Sequence, residues 1–403
     1  MICLPLPCCA TALPQRYPPI RQRRTLTPHG AAVPIATGDN LAWVTGVLAS
    51  GREVLRRLVL QTVLLIWLVC GAAIPRVALA DEIVPPMPAR VIAIGDLHGD
   101  LAAWRAIARD AGLIDAKGKW SGATTVLVQT GDVPDRGPDS KAIIQDLMRL
   151  QKEAARDGGR VVALVGNHEA MNIIGDIRYV TPSEFAAFAN SSSMRLRDMT
   201  FEANSQAIIA SYRQEKPRLS NAQARTAWLA DTPPGKLEHR AAWAPNGVIG
   251  KWVIGNPAVL RLGDTLFVHA GLSAAYAQRS PDDINAAVAK SLAAREEADT
   301  AIINDQAGPL WYRGLAQADP TGPPGSSAES ELRSVLAAQG ARRMVIGHTP
   351  SLSGVAFRHG ERLAMIDTGI SAVYGGTLGY LEIIDGRWVA HAVARPAPEQ
   401  KGK

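Results

Sequence analysis

Past residue 85 the apolar positions fall into two rhythms. Short aliphatic and β-branched runs recur at Arg90–Ile94, Thr125–Gln129, Arg160–Leu164, Thr265–Val268, Arg343–Ile346 and Arg362–Ile366, each followed within two residues by a Gly, Asp or His. Continuous apolar runs of this length predict buried strands that deliver polar residues at their carboxyl ends. Between them the spacing changes to that of helices, clearest at Leu101–Ala111 and Ser140–Arg156. Alternating strands and helices predict an α/β fold. Two further strands, Leu378–Ile384 and Trp388–Ala394, are joined by Asp385-Gly386, a tight hairpin signal.

Residues 170–260 break the alternation and read as a helical insertion. TPSEFAAFA at 181–189 opens with Thr181, Pro182 and Glu184 in the pattern of a capping box. Residues 200–230 read as a polar helical pair. Trp228, Trp243 and Trp252 are expected to pack this insertion on the core rather than to line a cleft. Proline-rich DEIVPPMPAR (81–90) reads as a linker, TGPPGSS (321–327) as a flexible loop and PAPEQKGK (396–403) as a tail.

Before residue 80 the chain has another character. REVLRR (52–57) precedes an apolar run from Leu58 to Ile74, and Val77-Ala78-Leu79-Ala80 precedes Asp81. A basic segment, an apolar segment and small residues before a cleavage point make a signal peptide at 54–80. The apolar run is interrupted by Gln61 and Pro75 and falls short of the ~20 residues of a membrane span. The expected setting is therefore export to the periplasm with no stable membrane anchor after cleavage; anchoring in the inner membrane by residues 58–74 is the alternative. Residues 1–53 read as a non-native or disordered leader, with translation starting near Val54. N-terminal sequencing tests this, and Ala31–Gly51 peptides in the precursor would sink it.

Charge and cysteine follow the same division. The net charge of +6 resides in the first 80 residues, where eight Arg face one Asp and one Glu; the remainder balances at 35 basic and 35 acidic residues. A neutral globular part gives no electrostatic reason to expect nucleic acid. All four cysteines, Cys3, Cys8, Cys9 and Cys70, precede residue 80, so no thiol is available to the rest for a disulfide or a metal.

The polar residues past the strands carry the chemistry. GDLHGD (95–100) supplies Asp96 and His98, GDVPDRG (131–137) supplies Asp132, and GNHE (166–169) supplies Asn167; His269 and His348 follow later strands. Strand carboxyl ends share one edge of a sheet, so these six can converge. Two carboxylates, an amide oxygen and three imidazoles suit two divalent ions such as Mn²⁺, Fe²⁺ or Zn²⁺. Asp132 would bridge them, and the water they share would attack a phosphoester in line. His168 is placed to protonate the leaving group, with Asp135 orienting its ring. Arg136 and Arg313 are the candidates for gripping phosphate oxygens. An isolated histidine is more often structural than catalytic, and His239, His359 and His391 stay in that class.

With these motifs in order, the sequence resembles the calcineurin-like metallophosphoesterases of the phosphoprotein phosphatase superfamily. Arg136 in GDVPDRG, VHAG (268–271) and GHTP (347–350) carry the resemblance further. GNHEAMNIIGDIRYVTPSEF (166–185), GPLWYRG (308–314) and IDTGIS (366–371) are most similar to the bacterial Shewanella-like protein phosphatases. The resemblance implies a central β-sandwich of two mixed sheets flanked by helices. It implies one metal on Asp96, His98 and Asp132, and a second on Asp132, Asn167, His269 and His348. It also implies His168 as the acid with Asp135 behind it, and Arg136 and Arg313 on phosphate. The expected substrate is a phosphoprotein or a small phosphoester, on Tyr or Ser/Thr. The alternatives are a diadenosine tetraphosphatase-like nucleotide hydrolase and an inactive binding module on the same fold.

Overall fold

The structure, a computed structural model, describes residues 86–316 and 327–397. The expected leader and the expected signal peptide, most of the 321–327 loop and the last six residues lie outside the described residues.

The strands are β1 (Arg90–Ile94), β2 (Val126–Gln129), β3 (Arg160–Ala163), β4 (Val259–Leu262), β5 (Thr265–Val268), β6 (Arg343–Ile346), β7 (Ala356–Arg358), β8 (Leu363–Met365), β9 (Leu378–Ile384) and β10 (Arg387–Val393). They form two five-stranded sheets, ordered β10-β9-β1-β2-β3 and β4-β5-β6-β8-β7. In the first, β1, β2 and β3 are parallel and β9 and β10 antiparallel. In the second, β5, β6 and β8 are parallel, with β4 and β7 as antiparallel edges. Both sheets are mixed, as the resemblance implies.

Period-two alternation builds two cores from the same strands. Val91, Ala93, Val128, Phe267, Val345 and Ile383 belong to one buried cluster drawn from both sheets, the filling of the sandwich. Their neighbours Ile92, Ile94, Leu127, Leu266 and Ile346 join the second cluster, which includes helical residues. Each large aliphatic side chain buried this way contributes roughly 1.5–3 kcal/mol.

The helices are α1 (Leu101–Asp110), α2 (Ser140–Arg156), α3 (Asn167–Ile174), α4 (Pro182–Phe188), α5 (Ser193–Glu215), α6 (Asn221–Asp231), α7 (Lys236–Trp243), α8 (Val248–Ile254), α9 (Pro281–Ala294) and α10 (Ser327–Ala338). In α2 the buried residues Ile143, Ile144, Leu147, Leu150 and Ala154 recur at helical spacing, which lays one stripe on the core. The insertion is helical from α3 to α8. Trp243 is fully buried, Trp252 Nε1 donates to Gln151 Oε1 at 2.9 Å, and Trp228 packs on the Phe201 ring. All three tryptophans therefore pack, as expected.

Three details differ from the sequence reading. The edge strands β4 and β7 were not anticipated. GNHE opens a helix at Asn167, an element that the sequence reading left unassigned. Thr181 caps α4 by accepting from the Glu184 amide at 3.3 Å, but neither Glu184 carboxyl oxygen has a hydrogen-bond partner, so the reciprocal half of a capping box is not made. That side chain is fully buried. Among the described residues no helix is long and apolar enough to cross a membrane.

Candidate active site

The six expected ligand residues meet at the carboxyl ends of the strands. Asp96, His98, Asp132 and Asn167 come from the first sheet, and His269 and His348 from the second; none is more than 5% exposed. Asp132 sits at the centre. Its Oδ1 is 3.4 Å from His269 Nε2, and its Oδ2 is 3.8 Å from His98 Nε2. Asp96 Oδ2 lies 4.0 Å from His98 Nε2, and Asn167 Oδ1 lies 3.0 Å from His269 Nε2. Two ligand groups result, His98–Asp132–His168 and Asp132–His269–His348, each with its donor atoms within 4.8 Å of one another. Asp132 belongs to both and could serve two ions.

The loops that aim these side chains are bent and tied together. His98, Asp132, Asp135, Arg136 and His348 all have left-handed backbone, with φ between 40° and 72°. Such conformations in non-glycine residues cost on the order of 1–3 kcal/mol each and persist only where the surroundings hold them. The amides of Leu97 and His98 both donate to the Asp132 carbonyl at 3.0 Å. Glu169 accepts from the amides of Asp132 at 2.9 Å, Val133 at 2.8 Å and Gly166 at 2.8 Å, so one carboxylate clamps two loops. Gly166 and Gly347 are required by closeness: a Cβ would stand 2.3 Å from Asp132 Oδ1 at the first and 2.4 Å from Asp96 Oδ1 at the second.

Hydrogen bonds assign the imidazole faces. Nδ1 of His98 lies 3.0 Å from the Pro134 carbonyl, and Nδ1 of His269 lies 2.9 Å from the Thr130 carbonyl. A carbonyl can only accept, so Nδ1 carries the proton in both rings and Nε2 faces the cluster, the arrangement of a metal-ligating histidine. His348 Nε2 is buried without a partner. Burial, then His269, lowers His348 to about 2, and burial lowers His98 to about 3 against the pull of Asp132. Both rings are neutral and free to bind.

The carboxyls point the same way. Burial, followed by the charges of Asp367 and Asp132, raises Asp96 well above the ordinary range. Burial and Asp132 raise Glu169 to about 7, and burial with Asp132 lifts Asp367 to about 6. Burial also pushes Asp132 upward, but His269 and His168 outweigh it and leave that carboxyl well below the usual value. Four buried acids beside the neutral rings of His98 and His348 form a pocket that cations would relieve. The donor set of oxygen and imidazole nitrogen fits divalent ions of the borderline class.

His168 shares the neighbourhood but not the role. Its Nε2 is as near Asp132 Oδ2, at 3.8 Å, as that of His98. Its Nδ1 instead donates to Asp135 Oδ2 at 2.5 Å, and Asn172 Nδ2 steadies the other oxygen of Asp135 at 2.9 Å. Burial lowers His168, but Asp132 and the Asp135 hydrogen bond prevail and raise its pKa. A neutral His98 beside a proton-holding His168 is compatible with the expected division of the two rings into ligand and acid.

Both expected arginines are at this edge. One guanidinium nitrogen of Arg136 lies 3.5 Å from His168 Nε2, and its guanidinium carbon lies over the ring of Tyr179, at 4.6 Å, and over that of Tyr374, at 5.1 Å. Arg313 is held by the His348 carbonyl at 2.9 Å and Thr349 Oγ1 at 3.0 Å. Of the histidines set aside as structural, His391 is confirmed by its contacts: it stacks on Tyr380 and bonds Glu382 at 2.8 Å.

The sequence reading missed Glu169, Asn172, Tyr179, Asp367 and Tyr374 as members of the site. Only Asp367 had a usable signal, since it follows a strand as the ligands do.

Comparisons with known proteins agree with this geometry. Residues 89–352 match the model of the calcineurin-like phosphoesterase family. Shewanella-like protein phosphatase 2 of Arabidopsis thaliana is 32% identical over 70% of this chain and 72% of its own. Shewanella-like protein phosphatase 1 of Plasmodium berghei is 29% identical over 73% and 72%, and an uncharacterised protein of Schizosaccharomyces pombe is 31% identical over 73% and 77%. Among solved structures, a cold-active protein tyrosine phosphatase superposes with a TM-score of 0.55 at 24% identity, covering 76% of this chain and 78% of that one. The cold-active protein-tyrosine phosphatase of a psychrophilic Shewanella species gives 0.54 at 22% identity, over 77% and 83%. At those identities the structures speak for the fold alone.

Proposed function

Because this chain belongs to the calcineurin-like phosphoesterase family and is a phosphoesterase, we propose that it acts as a protein phosphatase, with phosphotyrosine among its substrates. The observation that carries the reading is the setting of Arg136. Its guanidinium stands beside His168, at the ligand cluster, and in contact with the rings of Tyr179 and Tyr374. A phosphate held there would have its ester group among aromatic walls, and Tyr179 is 39% exposed. Aromatic surfaces of this kind favour an aryl ester by stacking.

Asp96, His98, Asp132, Asn167, His269 and His348 would hold two divalent ions, drawn from Mn, Fe or Zn. When bound, such ions supply Lewis acidity, lowering the pKa of water and neutralising phosphate oxygens. The chain's own residues do the rest. Arg136 and Arg313 orient the phosphate through bidentate hydrogen bonds. His168 delivers its Nε2 proton to the departing oxygen, and Asp135 keeps Nδ1 protonated so that Nε2 is the face that exchanges. The dry setting of the cluster strengthens each of these interactions. The named relatives in Arabidopsis and Plasmodium support phosphoprotein substrates, and the signal-peptide pattern at 54–80 supports action outside the inner membrane.

The experiment is a substrate comparison on the metal-loaded protein: a phosphotyrosine peptide, a phosphoserine peptide and diadenosine tetraphosphate. Turnover of the peptides, with phosphotyrosine first, is expected. Preference for diadenosine tetraphosphate would replace this reading with that of a nucleotide hydrolase, and no turnover would favour a binding module.

A further inference from the structure

One face of α2 lines a cavity that the proposed reaction does not use. Its floor is apolar. Ile144 and Met148 of α2, Phe188 of α4, Ala242 of α7, and Val248 and Ile249 of α8 enclose about 560 Å³. That lies within the ~300–1,000 Å³ of ordinary ligand pockets. The cavity is open at its lip, where Val248 is 64% exposed. A lone exposed valine is unremarkable, but one bordering an apolar cavity extends a surface that another side chain can cover.

Cations surround it. Lys141, Arg149 and Lys152 stand on its walls with one carboxylate, Glu238, which already accepts from the Ser193 hydroxyl. Arg149 also borders a second cavity of about 560 Å³, where Arg105, Arg109, Lys117 and Lys119 face two carboxylates, Asp146 and Glu153. Both of these are engaged: Asp146 by Arg105 at 3.2 Å and Arg149 at 3.1 Å, and Glu153 by Arg149 at 2.8 Å. Asp115 turns onto the amides of Lys117 and Lys119 at 2.8 and 2.9 Å. Arg109, Lys117 and Lys119 stand outside these ion pairs. The chain past residue 80 balances 35 basic and 35 acidic residues, so the positive field here is local.

This surface begins beside the active site. Ser140 Oγ accepts from the Asp135 amide at 3.2 Å, and Lys141, the next residue, borders the apolar cavity. From Lys141 to Glu153 the helix rises about 18 Å at ~1.5 Å per residue, the reach of roughly five extended residues. An apolar ligand needs no cations, and a plain polyanion needs no apolar cavity. We propose that the two cavities form one docking surface for the phosphoprotein substrate. An apolar side chain of the substrate enters the cavity between α2 and α8, and neighbouring Asp or Glu residues meet Arg109, Lys117 and Lys119. The proposal rests on the protein-phosphatase reading and adds to it the kind of sequence the substrate carries. Burial of the apolar side chain supplies affinity, and the acids supply selectivity and faster encounter. The insertion, through α4, α7 and α8, supplies one wall of the surface.

Two short fluorescent peptides test this on the metal-loaded full chain, one with Asp and Glu around a Leu-Phe pair, the other with Lys in place of each acid. The acidic peptide is expected to bind about tenfold tighter or more, and to weaken as salt rises. Lys117→Glu combined with Lys119→Glu should abolish that preference, and Val248→Asp should weaken binding about tenfold; all three positions are exposed, so the fold tolerates the changes. Joined by a flexible linker to a phosphotyrosine segment, the acidic peptide should lower KM about tenfold relative to its Lys counterpart with kcat unchanged, and both variants should cancel the gain. All forms of the protein should hydrolyse p-nitrophenyl phosphate, a small aryl ester with nothing to dock, at the same rate. Equal binding of the two peptides, indifference to either variant, an unchanged KM, or tighter binding of an RNA oligonucleotide would overturn the proposal. Hydrolysis of p-nitrophenyl phosphate but of no phosphopeptide would refute the protein-phosphatase reading, and the substrate as occupant with it. A wild-type chain inert toward p-nitrophenyl phosphate would instead count against the phosphoesterase reading itself.

Discussion

His168 is pulled in two directions: burial opposes its charge, while Asp132 and Asp135 favour it and win. The ring therefore keeps its proton to a higher pH than a free imidazole, whose pKa is ~6.5. Its acid form, present at low pH, is lost only as pH rises through the raised value. The rate on phosphoserine peptide should fall on that alkaline side. His168→Ala should remove that limb and cost roughly 10²–10⁴-fold on the alkyl ester, with a smaller loss on p-nitrophenyl phosphate. A pH–rate profile on both esters checks this, and equal losses would dismiss His168 as the acid. At this scale the sequence was most informative for residues with a motif around them. Asp96, His98, Asp132, Asn167, His269 and His348 were legible because each follows a strand. Glu169 was not, because its partners are backbone amides of other loops, and no side-chain pattern announces those. The Thr181 cap was read correctly, but Glu184 does not complete the box, because the pattern is local while its carboxyl is buried without a hydrogen-bond partner.

Among the elements, the ends of β2 and β3 and the start of α3 act as one piece because Glu169 binds all three amides at once. Glu169→Ala would leave those donors buried and unpaired, a cost of about 1–3 kcal/mol for each group left without water. It would also release the loops carrying Asp132 and Asn167. The expected result is a 10- to 100-fold weaker metal affinity, the usual scale for losing an outer support of a ligand. Titration of the apo variant with Mn²⁺ measures it, and an unchanged affinity would show that the loops hold themselves. The central strands were plain in the sequence because burial on both faces makes them continuously apolar. β4 and β7 escaped notice because they are edges. VLRL carries an arginine, and AFR is three half-buried residues, so neither shows the full apolar run that marks a strand buried on both faces.

For the whole molecule, the ligands divide between the sheets, and residues as far apart in the chain as Asp96 and His348 must meet. Cations bound there would join the two halves of the sandwich and relieve four crowded carboxyls. Removing metal should lower the melting temperature, since a ligand that binds only the folded chain stabilises it by mass action. Bound at 100 times its dissociation constant, an ion contributes about 2.7 kcal/mol. Because Asp96 is raised well above the ordinary range, protons compete for its site, so metal affinity should weaken as pH falls. Melting curves with and without a chelator at two pH values test both points; identical curves at each pH would mean that the cluster binds no metal tightly.

The five left-handed residues of the site, His98, Asp132, Asp135, Arg136 and His348, have an evolutionary corollary. Glycine would sit more comfortably at every one of them and would remove at each a side chain that the proposed reaction uses. A screen for heat resistance alone would thus be drawn toward these positions, and a screen for turnover would forbid them. Thermal adaptation in this lineage must find its gains elsewhere, in the sandwich filling and the insertion, leaving the catalytic rim as its fixed and uncomfortable inheritance.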